Sequence, residues 1–208
     1  MRMLSEVLSG ARACPPDCAT CVRLREAAAA AVLMAGSGEV TMAELAAAAG
    51  IPAAVADGHC REGASAVVAD AYRRASGELY GEYAASFRLA DTWPEKLGAA
   101  LERLLRRLAD EPAVAHLCFV APTAGDEHLC EIREAFRARY VRLLATEQDR
   151  HAGDVDLLPE LQLEMMVSVV FRTIGELVAD GRAPELPALL EDIAGAAQVF
   201  EPRVAVTA

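Results

Sequence analysis

Lysine is nearly missing from this chain: Lys96 is the only one among 20 basic side chains in 208 residues. Long apolar runs are missing too. A bilayer span needs about 18 apolar residues, and the Ala-rich stretch 27–35 is too short and too weakly hydrophobic to supply one. Residues 1–13 carry an early arginine, Arg2, then Ser5, Glu6 and Ser9, with no sustained apolar stretch of the kind a secretory signal requires. A cytoplasmic chain is therefore expected, in which six cysteines stay reduced. Phosphate-loop chemistry is excluded because Gly36-Ser37-Gly38 has neither the lysine nor the preceding strand of such a loop. No serine sits in a G-x-S-x-G elbow, and the four histidines, His59, His116, His128 and His151, are scattered. With no catalytic constellation, no catalytic residue is assigned and an enzyme is not expected.

What the chain does have is helix-forming material. Hydrophobic residues make up 54% and charged residues 25%, enough for a packed core. Alanine, the best helix former, occurs 44 times. The net charge is −11, unevenly spread: residues 1–80 hold 7 basic and 9 acidic side chains, residues 81–208 hold 13 and 22. That balance excludes a surface that grips nucleic acid all round, but leaves room for a small basic face on an acidic body.

Apolar residues recur at helical spacing along most of the chain, and no stretch alternates convincingly as a strand, so the fold class is all-α. A helix is predicted over 22–35, stopped by Gly36. Thr41-Met42-Ala43-Glu44 reads as a capping box opening a short helix that ends at Ala49-Gly50. A second short helix follows Ile51-Pro52, and a longer one covers 63–87. Leu97, Leu101, Leu104, Leu105 and Leu108 make one stripe. A short helix is predicted over 112–120, closed by Pro122. Leu129, Ile132, Phe136, Tyr140 and Leu143 mark a helix of some 25 residues, and two more are predicted over 158–179 and 186–199. The stretch 158–179 is apolar around its circumference, which calls for burial by another element or subunit.

Two short helices joined by Ala49-Gly50-Ile51-Pro52 fit a helix-turn-helix. Residues 41–51 resemble the second helix and turn of the tetracycline-repressor (TetR) family, whose pattern there is a Thr cap, an acidic residue, Ile or Leu, Ala, two variable positions and Ala-Gly-Val. Trp93-Pro94-Glu95, the leucine stripe, Glu111-Pro112-Ala113 and Leu186-Pro187 resemble the regulatory half of that family. After an N-terminal arm with cysteines (1–21), the resemblance implies a helix-turn-helix domain (22–68) and a C-terminal regulatory and dimerisation domain (69–208). It also implies a homodimer built on the last two helices, an operator DNA partner, and a small, largely apolar organic effector that releases the operator.

The recognition helix departs from that pattern. Asp57 stands where a Tyr is expected, Cys60 where an aromatic is, and Gly63 where a phosphate-contacting Lys is; only His59 matches. Base edges are read by side chains such as Arg, Lys, Asn and Gln, and this segment offers Ala53, Ala54 and His59. Candidate DNA contacts are therefore Arg23, Arg25, Thr41, Ala53, Ala54, His59 and Arg61, the arginines serving phosphates. Two readings stand: an operator-binding repressor, or a protein of the same fold that no longer binds DNA and serves as a ligand-, metal- or partner-binding dimer.

Cys14, Cys18 and Cys21 have the spacing C-x₃-C-x₂-C. Thiolates so close together can hold zinc, with His59 or Cys60 as a further ligand, or can respond to oxidation. The alternative is a loop of unremarkable thiols, and no other cofactor is expected. The resemblance places the effector site within 80–175, where the candidates are Tyr83, Phe87, Trp93, His116, Phe119, Phe136, Tyr140, Met165, Met166, Phe171 and Arg172.

Overall fold

The computed structural model describes residues 18–36, 39–60, 62–123, 127–150 and 157–193, and these are helical with no strand among them. The elements are α1 (Ala19–Ala35), α2 (Met42–Ala49), α3 (Ala53–His59), α4 (Gly63–Ser86), α5 (Trp93–Asp110), α6 (Pro112–Phe119), α7 (Glu127–Arg150) and α8 (Glu160–Ala179), with 3₁₀ turns at Ala121–Thr123 and Ala183–Ala188. No described helix is long and apolar enough to cross a membrane.

Local chemistry sets the boundaries. Thr41 and Glu44 form the expected capping box: the Glu44 amide donates to the Thr41 hydroxyl (3.2 Å) and the Thr41 amide to the Glu44 carboxylate (2.8 Å). Gly50 ends α2 at φ 64°, a left-handed conformation that glycine adopts without steric cost, while the Ile51 amide reaches back to the Ala46 carbonyl at 2.9 Å. A second capping box, Thr92 with Glu95, opens α5 around Pro94. All five leucines of the α5 stripe are buried.

Three expectations are corrected. Helix α1 begins at Ala19, not at 22, because Cys18 takes the cap position; Cys21 therefore lies inside the helix. Pro122 lies within a 3₁₀ turn and does not itself close α6. The last helix starts as a 3₁₀ turn at Ala183–Ala188, with Pro187 inside it, and becomes α-helical over 189–193; its expected remainder, 194–199, lies outside the described residues. Helix α4 runs unbroken across residues 68–69, the domain boundary implied above. Residues 1–17 of the N-terminal arm, with Cys14, also lie outside the described residues.

Helix α1 packs against α2, α4 and α6, so it belongs to the head and the body alike. Helix α4 continues from the head into the body against α5 and α7, and α8 lies across α6 and α7. The interior is one continuous apolar cluster. Its body half is organised around Tyr140, whose ring lies 4.8 Å from Tyr83, 5.0 Å from Phe136 and 5.2 Å from Phe171, distances at which aromatic pairs gain beyond their burial.

Removing the Thr41 cap should weaken α2 measurably. Thr41→Ala is expected to cost about 1 kcal/mol, lowering the thermal midpoint by about 2–4 °C, as read by circular dichroism.

Candidate DNA-reading head and effector cavity

The head is α1 to α3 with the start of α4. Arg23, on α1, donates from its guanidinium to the carbonyls of Ala49 (2.6 Å) and Gly50 (3.2 Å), closing the end of α2 at the turn. Arg25 pairs with Asp70 of α4 at 2.5 Å. Both arginines expected at phosphates therefore make bonds inside the head. Thr41 is exposed at the start of α2, its hydroxyl engaged with Glu44. Those bonds hold the Glu44 carboxyl below its ordinary pKa, so it stays charged.

Helix α3 is held by one buried residue, Ala56, and exposes Ala53, Ala54, Val55, Asp57 and Gly58. Its outward face is small, apolar and weakly acidic. His59 does not join it: half-buried at the end of α3, it meets Cys18 with 3.4 Å between Nδ1 and Sγ. Cys21 completes the group, and the ligand atoms of Cys18, Cys21 and His59 all lie within 4.8 Å of one another. These three residues can hold a metal ion. Arg61 lies outside the described residues.

Among the described residues, two cavities of the body have different linings. The larger, about 530 Å³, lies between the end of α6 and the facing sides of α7 and α8. Phe119, Val120 and Phe171 give it an apolar wall, and Arg133, Arg137, Arg172, Glu134, Glu176 and Ser168 a charged one. Arg137 donates to Ser168 (2.6 Å) and to Glu134 (2.9 Å), and Arg172 to Glu176 (2.8 Å). Three cations against two anions leave the rim net positive. Gly175 lets α8 approach: a Cβ there would stand 3.1 Å from the Phe119 carbonyl oxygen. The second void, about 30 Å³, is lined by Tyr83, Tyr140, Met166, Phe171 and leucines of α5. It has room for a water molecule but not for an organic ligand.

Of the residues expected at the effector, Phe119, Phe171 and Arg172 line the large cavity, and Tyr83, Tyr140, Met166 and Phe171 the small one. Phe87, Trp93 and Phe136 pack in the aromatic cluster instead, with Phe87 against Trp93 at 6.1 Å and Phe136 against Tyr72 at 6.4 Å. Met165 points outward, 59% exposed. His116 is buried in α6 and lines neither cavity. Sequence reading missed Arg133, Arg137 and Ser168. The available signal was a pair of facing polar rows, Arg133 and Arg137 four apart on α7 and Ser168, Arg172 and Glu176 four apart on α8.

No protein-family model and no curated protein matches the sequence. Solved structures do match its fold. The fatty acid degradation regulator FadR of Bacillus halodurans is 15% identical, with a TM-score of 0.67 over 92% of this chain and 99% of that one. The transcriptional regulator FadR of Bacillus subtilis, solved in complex with stearoyl-CoA, is 14% identical, with a TM-score of 0.70 over 84% and 95%. A TetR family regulator from Marinobacter aquaeolei VT8 is 17% identical, with a TM-score of 0.60 over 84% and 94%. The chain has the fold of TetR-family transcription regulators, and the proteins that share it here are regulators rather than enzymes.

Burial holds the pKa of His116 below its ordinary 6.5. Protonation therefore favours the unfolded chain, and stability present above pH 6.5 is lost as the pH falls below it. Urea midpoints at pH 7.5 and 5.5 are expected to fall further in the wild type than in His116→Gln.

Proposed function

We propose that this protein is a cytoplasmic, homodimeric transcription regulator that binds operator DNA through α2 and α3 and releases it when an anionic amphiphile enters the α6–α7–α8 cavity. The observation that carries the reading is the outer face of α8. Leu161, Met165 and Val169 stand four residues apart and are 66%, 59% and 63% exposed, with Leu157 on the same row before the helix. Opposite them Leu163, Val167, Ile174 and Val178 are buried. A straight apolar row along one helix is poorly suited to water and well suited to a second copy of itself across a two-fold axis. It lies on one of the helices that the family resemblance puts at the dimer interface, and a dimer presents two heads to successive major grooves.

With Ala53, Ala54 and Val55 outward, α3 contacts thymine methyls and makes few base hydrogen bonds. Operator choice then depends on backbone contacts and on DNA shape. One observation favours the second reading, a dimer of this fold that does not bind DNA: Arg23 and Arg25 are both engaged inside the head.

The cavity supports the effector class. Its apolar wall accepts a hydrocarbon chain and its arginines an anionic head, and its volume falls within the range of small-molecule sites. The fatty acyl thioester in the Bacillus subtilis neighbour is a ligand of that chemistry. The cavity touches the end of α6, and α6 packs on α1, so occupancy has a route to the head. A ligand that favours one position of α6 shifts the heads by its differential affinity for the two states.

Sedimentation of the wild type is expected to give a dimer at micromolar concentration. Met165→Glu should shift it to monomer and weaken binding to sheared genomic duplex at low salt by about tenfold or more, because one head retains only half the phosphate contacts. A wild-type monomer would contradict the proposal. A fluorescent polyene fatty acid is expected to bind the wild type, and Arg172→Glu to weaken it by about 10–100-fold, the worth of a hydrogen bond to a charged group; unchanged affinity would remove the cavity from the account.

A further inference from the structure

We infer that Cys18, Cys21 and His59 form a zinc site that ties the start of α1 to the end of α3. Cys18 is the N-cap of α1 and Cys21 lies three residues on, so both thiols stand on one side of the same first turn. His59 is the last residue of α3, and its imidazole approaches them from across the head. With zinc–sulfur bonds of about 2.3 Å and zinc–nitrogen bonds of about 2.0–2.1 Å, tetrahedral angles put sulfur and nitrogen about 3.5 Å apart and two sulfurs about 3.8 Å apart. The observed Cys18–His59 separation is 3.4 Å, and all three ligand atoms fall within 4.8 Å of each other. The group therefore closes on an ion with little movement.

The donor set selects the ion. Two thiolates and an imidazole suit zinc and other thiophilic cations, whereas magnesium and calcium require oxygen ligands. The setting favours thiolates, since Cys18 and Cys21 stand at the N-terminal, electropositive end of α1, whose first turn carries no acidic side chain. All three residues are half-buried, which leaves an entry path and a fourth position for water or another donor. Binding releases the thiol protons. Helix α3 otherwise rests on Ala56, so the ion supplies its second attachment. None of this depends on whether α3 reads DNA.

The test uses the full chain, reduced, stripped with chelator and then freed of it. Cobalt(II) is expected to give thiolate-to-cobalt charge transfer and tetrahedral d–d bands at one ion per chain, bleached by zinc. Competition with a chromophoric chelator measures zinc affinity. Cys21→Ser and His59→Gln should each weaken it by about 100-fold, His59→Cys should restore a donor and recover binding, and Cys130→Ser should change nothing. Circular dichroism checks that each variant is folded. Zinc should slow amide exchange in α3 of the wild type and not of His59→Gln. The inference is overturned by an absent cobalt spectrum, by full zinc affinity in His59→Gln, or by a protein that loses two thiols in air and takes up no metal.

Discussion

The packing of α1 is the constraint on which the rest of the structure depends. Its buried residues, Leu24, Ala28, Ala31 and Val32, keep to one side of the helix, and two of the four are alanines. Small side chains let three neighbours, α2, α4 and α6, approach one short helix. Polar groups then fix its rotation: Arg23 holds the turn between α2 and α3, and Arg25 holds α4. Head and body cannot move independently of this helix.

That arrangement organises the functional account. The cavity ends on α6, α6 leans on α1, and α1 carries the helix-turn-helix. Gly175 brings α8 against the end of α6, so the helix with the exposed apolar row also bears on the cavity. The proposed dimer face, the cavity and α3 are thereby joined through packed helices. The Cys18–Cys21–His59 group acts on the same lever from its other end. The two proposed inputs, an amphiphile in the body and a thiophilic ion at the head, would both act on α1.

Much of this was legible in the sequence because it rests on local rules. The Thr41–Glu44 box, the Gly50 stop and the leucine row of α5 depend on neighbours within a turn or two, and the structure reproduces each. The outward row of α8 was foreshadowed by a helix too apolar for a monomer's surface. The cavity was less legible because it depends on tertiary placement. Phe87, Trp93 and Phe136 look like ligand contacts in a linear reading, and in the structure they meet other rings, Phe87 against Trp93 and Phe136 against Tyr140, and line neither cavity. Arg133 and Arg137 look like ordinary solvent-facing charges on α7, and only the approach of α8 turns them inward. Arg23 and Arg25 show the same limit in the head, since nothing local reveals that their partners lie 26 and 45 residues further on.

The central claim is that a head with an almost featureless α3 still selects DNA. Incubating the reduced, dimeric protein with fragmented genomic DNA from its source, then sequencing what is retained at two salt concentrations, addresses that claim directly. The account predicts enrichment of a short near-palindrome with half-sites about one helical turn apart, weakening as salt rises. Absence of any enrichment at low salt, from protein shown to be folded and dimeric, would contradict it.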